Sequence, residues 1–259
     1  MSRLIDACYK NNTELATKLI ENKANLDIQN YDGKTALMWS CCKNNTTLST
    51  KLIKNKANLD IQDKDGRTDL IYSCLKNNIK ITTRLIENKA NLDLQDKDGW
   101  TALIWSCYNN NTKTALKLIE SKANIDFYMV MNQSVALIYS CYHNNTKIAL
   151  KLIENKANLD IQNYDGKTAL MWSCWNNNKK IILKLIENKA NLDLQDEDGD
   201  TALMYSCCDS NIEIALKLIE NKANIHLQNY RRRTTLMNAC YNNSYIIIAY
   251  LLEYISLLN

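Results

Sequence analysis

The feature that most constrains this chain is a period. Gly33, Gly66 and Gly99 stand 33 residues apart, and so do Gly166 and Gly199. Between Gly99 and Gly166 lie two further periods that share one extra residue. Self-similarity at a fixed spacing of about 20–50 residues means stacked units, each burying its apolar side only against its neighbours. Residues 165–195, DGKTALMWSCWNNNKKIILKLIENKANLDLQ, stand for the whole, because the rest of the chain is largely this block rewritten.

Each block holds two short apolar segments with helical spacing. In residues 36–43 the spacing is carried by Leu37 and Cys41, and in residues 46–55 by Leu48, Leu52 and Ile53. Helices of under about a dozen residues are marginal alone, so stacking must supply the burial. Asn44-Asn45 separates the two segments and recurs as Asn77-Asn78, Asn110-Asn111, Asn144-Asn145 and Asn177-Asn178. Asparagine accepts the left-handed conformation that closes one helix, and its side chain caps the next. After the second segment comes ANLDIQ, then a turn with an Asp-Gly pair, which reads as an extended finger between repeats.

These residues resemble the ankyrin repeat. The family pattern runs Asp-x-x-Gly-x-Thr-Pro-Leu-His-x-Ala-Ala, then Gly-His, a Leu-Leu pair and Gly-Ala-Asp-Val-Asn. Gly66, Thr68, Leu70, the Leu85-Ile86 pair and Ala90 match it. The departures are systematic. The chain has no proline, the family histidine is Met38, Ile71, Ile104, Ile138, Met171, Met204 and Met237, and the glycine before alanine is Lys56, Lys89, Lys122, Lys156, Lys189 and Lys222. A lysine held at positive φ carries roughly 1 kcal/mol of strain. The resemblance implies an all-α solenoid of helix-turn-helix units joined by extended, β-hairpin-like fingers. It covers residues 1–259 as a single domain of about eight copies: 1–29 as a partial N-terminal cap, then 30–62, 63–95, 96–128, an irregular 129–162, 163–195, 196–228 and a C-terminal cap at 229–259.

A formal net charge of +4 with signs alternating along each repeat points to no nucleic-acid partner, and no run of 18 apolar residues predicts a membrane span. Eight of the ten cysteines, Cys8, Cys41, Cys74, Cys107, Cys141, Cys174, Cys207 and Cys240, share one repeat position. Equivalent residues on packed helices lie about 8–10 Å apart, too far for a disulfide. They read as small packing residues in a reducing, cytoplasmic setting, and no Cys-x-x-Cys spacing supports zinc. The wording TALMWSC and NKANLDLQD is similar to ankyrin arrays of giant DNA viruses, which implies a host-cell cytoplasm. Acidic pairs such as Asp63/Asp65 and Asp96/Asp98 read as solvated finger tips. No phosphate loop or nucleophile–base arrangement is present, so no cofactor, metal or catalytic residue is expected.

The resemblance implies a non-enzymatic scaffold that binds a protein partner on its concave face of fingers and first helices. Two aromatic columns mark that face. One is Trp39, Tyr72, Trp105, Tyr139, Trp172 and Tyr205; the other, three residues on, includes Tyr108, Tyr142 and Trp175. A spacing of three puts both on one helix face. The expected partner site is Trp105, Tyr108, Tyr139, Tyr142, Trp172 and Trp175, beside the irregular finger with Phe127, Tyr128 and Met129. The inner column admits a second reading as edgewise core packing. The last helix, residues 245–258, is the most apolar, and a cap should be polar outside. It either wraps back on its neighbour or leaves an apolar end, so the chain is expected to be a monomer with weak self-association, or a self-assembling array as the alternative.

Overall fold

The computed structural model describes residues 2–127, 135–208 and 211–258, without the side chains at 208, 254, 255, 257 and 258. Among the described residues there are sixteen α-helices and no β-strand. The chain falls into two compact units, Met1–Val130 and Met131–Asn259.

The first unit holds α1 (Arg3–Tyr9), α2 (Thr13–Glu21), α3 (Ala36–Cys42), α4 (Thr46–Lys54), α5 (Asp69–Leu75), α6 (Ile79–Glu87), α7 (Ala102–Tyr108) and α8 (Thr112–Glu120). The second holds α9 (Ala136–Tyr142), α10 (Thr146–Glu154), α11 (Ala169–Trp175), α12 (Lys179–Glu187), α13 (Ala202–Cys208), α14 (Ile212–Glu220), α15 (Thr235–Tyr241) and α16 (Tyr245–Leu258). Each repeat contributes one pair, and within a unit each first helix packs on the first helices before and after it.

The local rules are visible at each boundary. Thr35 accepts the Met38 N–H at 3.2 Å and starts α3. Asn44 turns left-handed at φ 58°, and Asn45 accepts the Leu48 N–H at 2.9 Å to start α4. Lys56, at φ 64°, ends α4 in a left-handed cap. The fifth repeat differs: Val135 begins α9 with no side-chain cap, a loss of about 1 kcal/mol against threonine.

The core is the inner side of both helix layers. Leu37, Met38, Cys41, Leu48 and Leu52 are sealed, and so are Leu70, Ile71, Cys74, Ile81 and Leu85 one repeat on, whereas Leu15 and Leu19 of the first repeat are half-buried and Met237 of the last is exposed. The cysteine column is buried from Cys8 to Cys207, while Cys240 is exposed, and the nine described cysteines are all free thiols. The finger keeps its turn but pairs no strand. Gln29 Nε2 bridges Gly33 O at 2.6 Å and Gln62 O of the next repeat at 3.0 Å. Asp27 accepts the Asn58 N–H at 2.9 Å, also one repeat on. Gly33, at φ 78°, is needed twice over, because a Cβ there would stand 2.8 Å from the Lys64 nitrogen of the following finger.

Asp69 breaks the pattern. It takes the position of Ala36, Ala102, Ala136, Ala169 and Ala202 and is fully buried, with neither carboxylate oxygen hydrogen-bonded. Burial first, then the charges of Asp27, Asp60 and Asp63, holds its carboxyl well above the usual carboxylate range. At the other end, α16 does wrap back through buried Ile247 and Leu251, yet Tyr245, Ile246 and Leu252 stay exposed.

Candidate functional site

The first helices carry the aromatic columns, and most of the rings both pack and face solvent. In the inner column Tyr72 and Tyr205 are buried, while Trp39, Trp105, Tyr139 and Trp172 are half-buried. The outer column is open: Tyr108 is 43% exposed, Tyr142 48% and Trp175 56%.

Within the first unit, Trp100, Trp105 and Tyr108 form one cluster. Ring centroids lie 4.3 Å apart for Trp100–Trp105 and 4.9 Å for Trp100–Tyr108. Within the second unit the outer ring of one repeat meets the inner ring of the next. Tyr142 stands edge-on to Trp172 at 4.8 Å, and Trp175 meets Tyr205 at 5.9 Å. Of the residues expected to form the site, Trp105 and Tyr108 therefore meet in one unit, and Tyr142 and Trp172 in the other. Phe127 is half-buried, and Tyr139 is half-buried in α9. Tyr128 and Met129 lie outside the described residues.

Two contributors were not singled out from sequence. The residue after the finger glycine is basic in three repeats, Arg233 holds the same position after Arg232 in the last, and each lays its cation on the rings. Lys34 sits 4.9 Å from Trp39 and 5.0 Å from Tyr72, and Lys167 sits 5.0 Å from Trp172. Arg67 covers Trp105 at 5.3 Å and Arg233 covers Tyr241 at 4.4 Å. Such contacts contribute about 0.5–1 kcal/mol when exposed. In the fourth repeat this position is Trp100, which adds a third ring to the cluster there. The repeated basic residue before the capping threonine was the available signal.

The finger aspartates are also corrected. Asp63, Asp96 and Asp196 are buried, not solvated. Asp63 Oδ1 accepts the Asp65 and Arg67 N–H groups, both at 2.9 Å, while Oδ2 accepts the Tyr72 hydroxyl at 2.5 Å. Asp96 does the same with the Trp105 indole N–H at 2.8 Å, and Asp196 with the Tyr205 hydroxyl at 2.5 Å. Each is a hub that ties finger to helix, because an extended Asx turn leaves the second oxygen aimed at the ring column. Burial, then the Asp63 carboxylate, pushes the Tyr72 phenol far up. Among the described residues no group of three His, Cys, Asp or Glu is placed to hold a metal ion, and no helix is long and apolar enough to cross a membrane.

No curated protein matches the chain. Solved structures do. The ankyrin repeat domain of Bcl-3, described as a unique member of the IkappaB protein family, superposes with a TM-score of 0.66 at 22% identity, covering 79% of this chain and 93% of that one. The human ASB11 ankyrin repeat domain gives 0.68 at 19% identity, covering 86% and 99%. At these identities the likeness is one of fold. The profile described as ankyrin repeats (3 copies) matches residues 4–96, 44–129, 130–196 and 176–258. With that match running almost end to end over repeats of two helices and a finger, the chain belongs to the ankyrin-repeat family.

Proposed function

We propose that this chain is a non-enzymatic protein-binding scaffold whose partner protein contacts the finger side of the first helices, the face that is concave in the family. The observation that carries the reading is the exposure of Tyr108, Tyr142 and Trp175 on that side, each held by a neighbouring ring. Pre-positioned Trp and Tyr side chains give large contact area at low entropic cost, and they dominate interface energetics. Trp105 meets Tyr108 and Trp172 meets Tyr142, with Tyr139 and, in the irregular finger, Phe127, Tyr128 and Met129 near them in sequence.

The test begins with affinity capture from host-cell extract and identification by mass spectrometry. The purified partner is then titrated against the wild type and against Tyr108→Ala, Tyr142→Ala and Trp175→Ala. Hot-spot loss of at least tenfold in affinity is expected for one or more of the three. Equal binding by all three variants sinks the assignment of this face.

A further inference from the structure

We propose that the partner of this scaffold sets an acidic side chain, the carboxylate of an aspartate or glutamate, into a polar cavity of the eighth repeat where an aromatic ring is missing. The inference rests on the scaffold reading and adds the chemistry of one contact to it.

The inner column holds a ring in six successive repeats, from Trp39 to Tyr205, and then changes to Asn238. Where the ring is a buried tyrosine it has a fixed task. Tyr72 and Tyr205 reach from helix to finger and donate to the hubs Asp63 and Asp196. In the eighth repeat the hub is Asn229 and no ring spans the gap. Asn229 Nδ2 donates instead to Asp200 Oδ1 of the preceding finger, at 2.8 Å. Asn229 and Asn238, the two ends of the missing span, line a cavity of about 190 Å³ with Asp198, Asp200, Arg233 and Tyr241. Pockets for drug-sized ligands run to about 300–1,000 Å³. This one has the size for a single side chain.

Two groups in the cavity are short of partners. Asn238 is only 8% exposed, and among the described residues its side-chain amide makes no hydrogen bond. A buried amide is costly until something completes it. Arg233 is half-buried, and its guanidinium has no hydrogen bond or ion pair among the described residues. The missing ring accounts for its pose. Lys34 and Lys167 lie on the inner rings Trp39 and Trp172, whereas Arg233 lies on the outer ring Tyr241 at 4.4 Å. A guanidinium resting on a ring keeps its planar fork of N–H donors free for two parallel bonds to a carboxylate. The Asn238 amide supplies a further donor.

Charge selects the ligand. Arg231 and Arg232 stand beside Arg233, and Asp200 is already engaged by Asn229, so an anion is favoured over a cation. Asp198 and Asp200 set the limit, because they repel a doubly charged phosphate more than a singly charged carboxylate.

Heteronuclear NMR of the full chain with labelled asparagine side chains tests this, with N-acetyl-glutamate N-methylamide as the probe. The Asn238 amide signals should shift saturably. N-acetyl-glutamine N-methylamide, of the same shape without the charge, should bind at least tenfold more weakly. Arg233→Gln should lose the probe, and so should Asn238→Tyr, which refills the gap and is read at the Asn229 amide. Melting curves check that both variants fold. No saturable shift up to the probe's solubility overturns the proposal, as does equal binding of the glutamine probe. Tighter binding of inorganic phosphate overturns it too, in favour of a phosphate site. The captured partner should bind Arg233→Gln at least tenfold more weakly and with less dependence on salt; unchanged affinity removes the cavity from the interface. Failure of the aromatic face looks different: the partner then tolerates Tyr108→Ala, Tyr142→Ala and Trp175→Ala while still rejecting Arg233→Gln.

Discussion

Trp105 donates its indole N–H to Asp96 Oδ2 at 2.8 Å, while Trp172, at the same position two repeats later, has a buried indole nitrogen with no acceptor. The difference is one atom. The finger hub of that repeat is Asn163, whose Oδ1 already accepts the Lys167 N–H at 2.7 Å and whose second polar atom is itself a donor. Trp39 with Asn30 repeats the case. Asn163→Asp should therefore stabilise the fold by about 1 kcal/mol at neutral pH, and Asp96→Asn should destabilise it by about 1–3 kcal/mol. Chemical denaturation of both variants checks the pair; a lower midpoint for Asn163→Asp refutes the hub argument.

Asp69 is expected to work against the fold at neutral pH. Its carboxyl is harder to ionise folded than unfolded, so the folded state binds the extra proton. Stability then falls as pH rises from about 4, the ordinary Asp value, through the raised folded value. Asp69→Ala, the residue most other copies use, should add about 2 kcal/mol at pH 7. The gain should shrink as pH falls toward 4, leaving only the cost of a neutral carboxyl buried without partners. Melting temperatures of variant and wild type across this range measure it, and a variant that melts lower at pH 7 would contradict it.

Lys156 and Lys189 sit at φ 65° and 62°. Lys156→Gly or Lys189→Gly relieves the left-handed strain and should stabilise by up to about 1 kcal/mol, less the entropy glycine loses on folding. If both substitutions destabilise, the strain is smaller than that entropy.

The thiols divide by burial. Burial pushes Cys8 and Cys141 up to about 12 and Cys74 up to about 11, so thiolate is scarce in the native state. Alkylation of native protein should mark exposed Cys240 quickly and the buried column only through unfolding. After denaturation without reductant, intact mass should show all ten cysteines modified; a shortfall of two signals a disulfide and a wrong register.

Tyr108, Tyr142 and Trp175 should behave as supported surface residues. Each →Ala change removes an edge-on ring contact of about 0.5–1.5 kcal/mol, well below the roughly 3–5 kcal/mol of a core aromatic truncation. Calorimetry separates the two, and a core-sized loss would place these rings in the interior.

Most of the architecture is legible because one register is written eight times. Thr35, Asn45 and Lys56 announce their caps locally, and the helix ends fall within a residue of the apolar spacing. The site was only half legible. A spacing of three says that Trp172 and Trp175 share a face, but Tyr142 reaches Trp172 across a repeat junction, which only stacking determines. Trp100 was overlooked because it lies in the finger rather than the helix, and Asp63 was misread because its burial depends on the ring of Tyr72 closing over it.

The glutamine links have a genetic consequence. Gln62 and Gln195 each reach a backbone carbonyl one repeat ahead, Gln95 and Gln228, and ask nothing of that residue's side chain. The second and sixth repeats open on the same twelve letters, NYDGKTALMWSC. Unequal recombination between these two stretches, 133 residues apart, would delete or duplicate four whole repeats and still hand Gln29 or Gln162 a carbonyl one repeat on. An array fastened this way changes length more easily than it changes sequence.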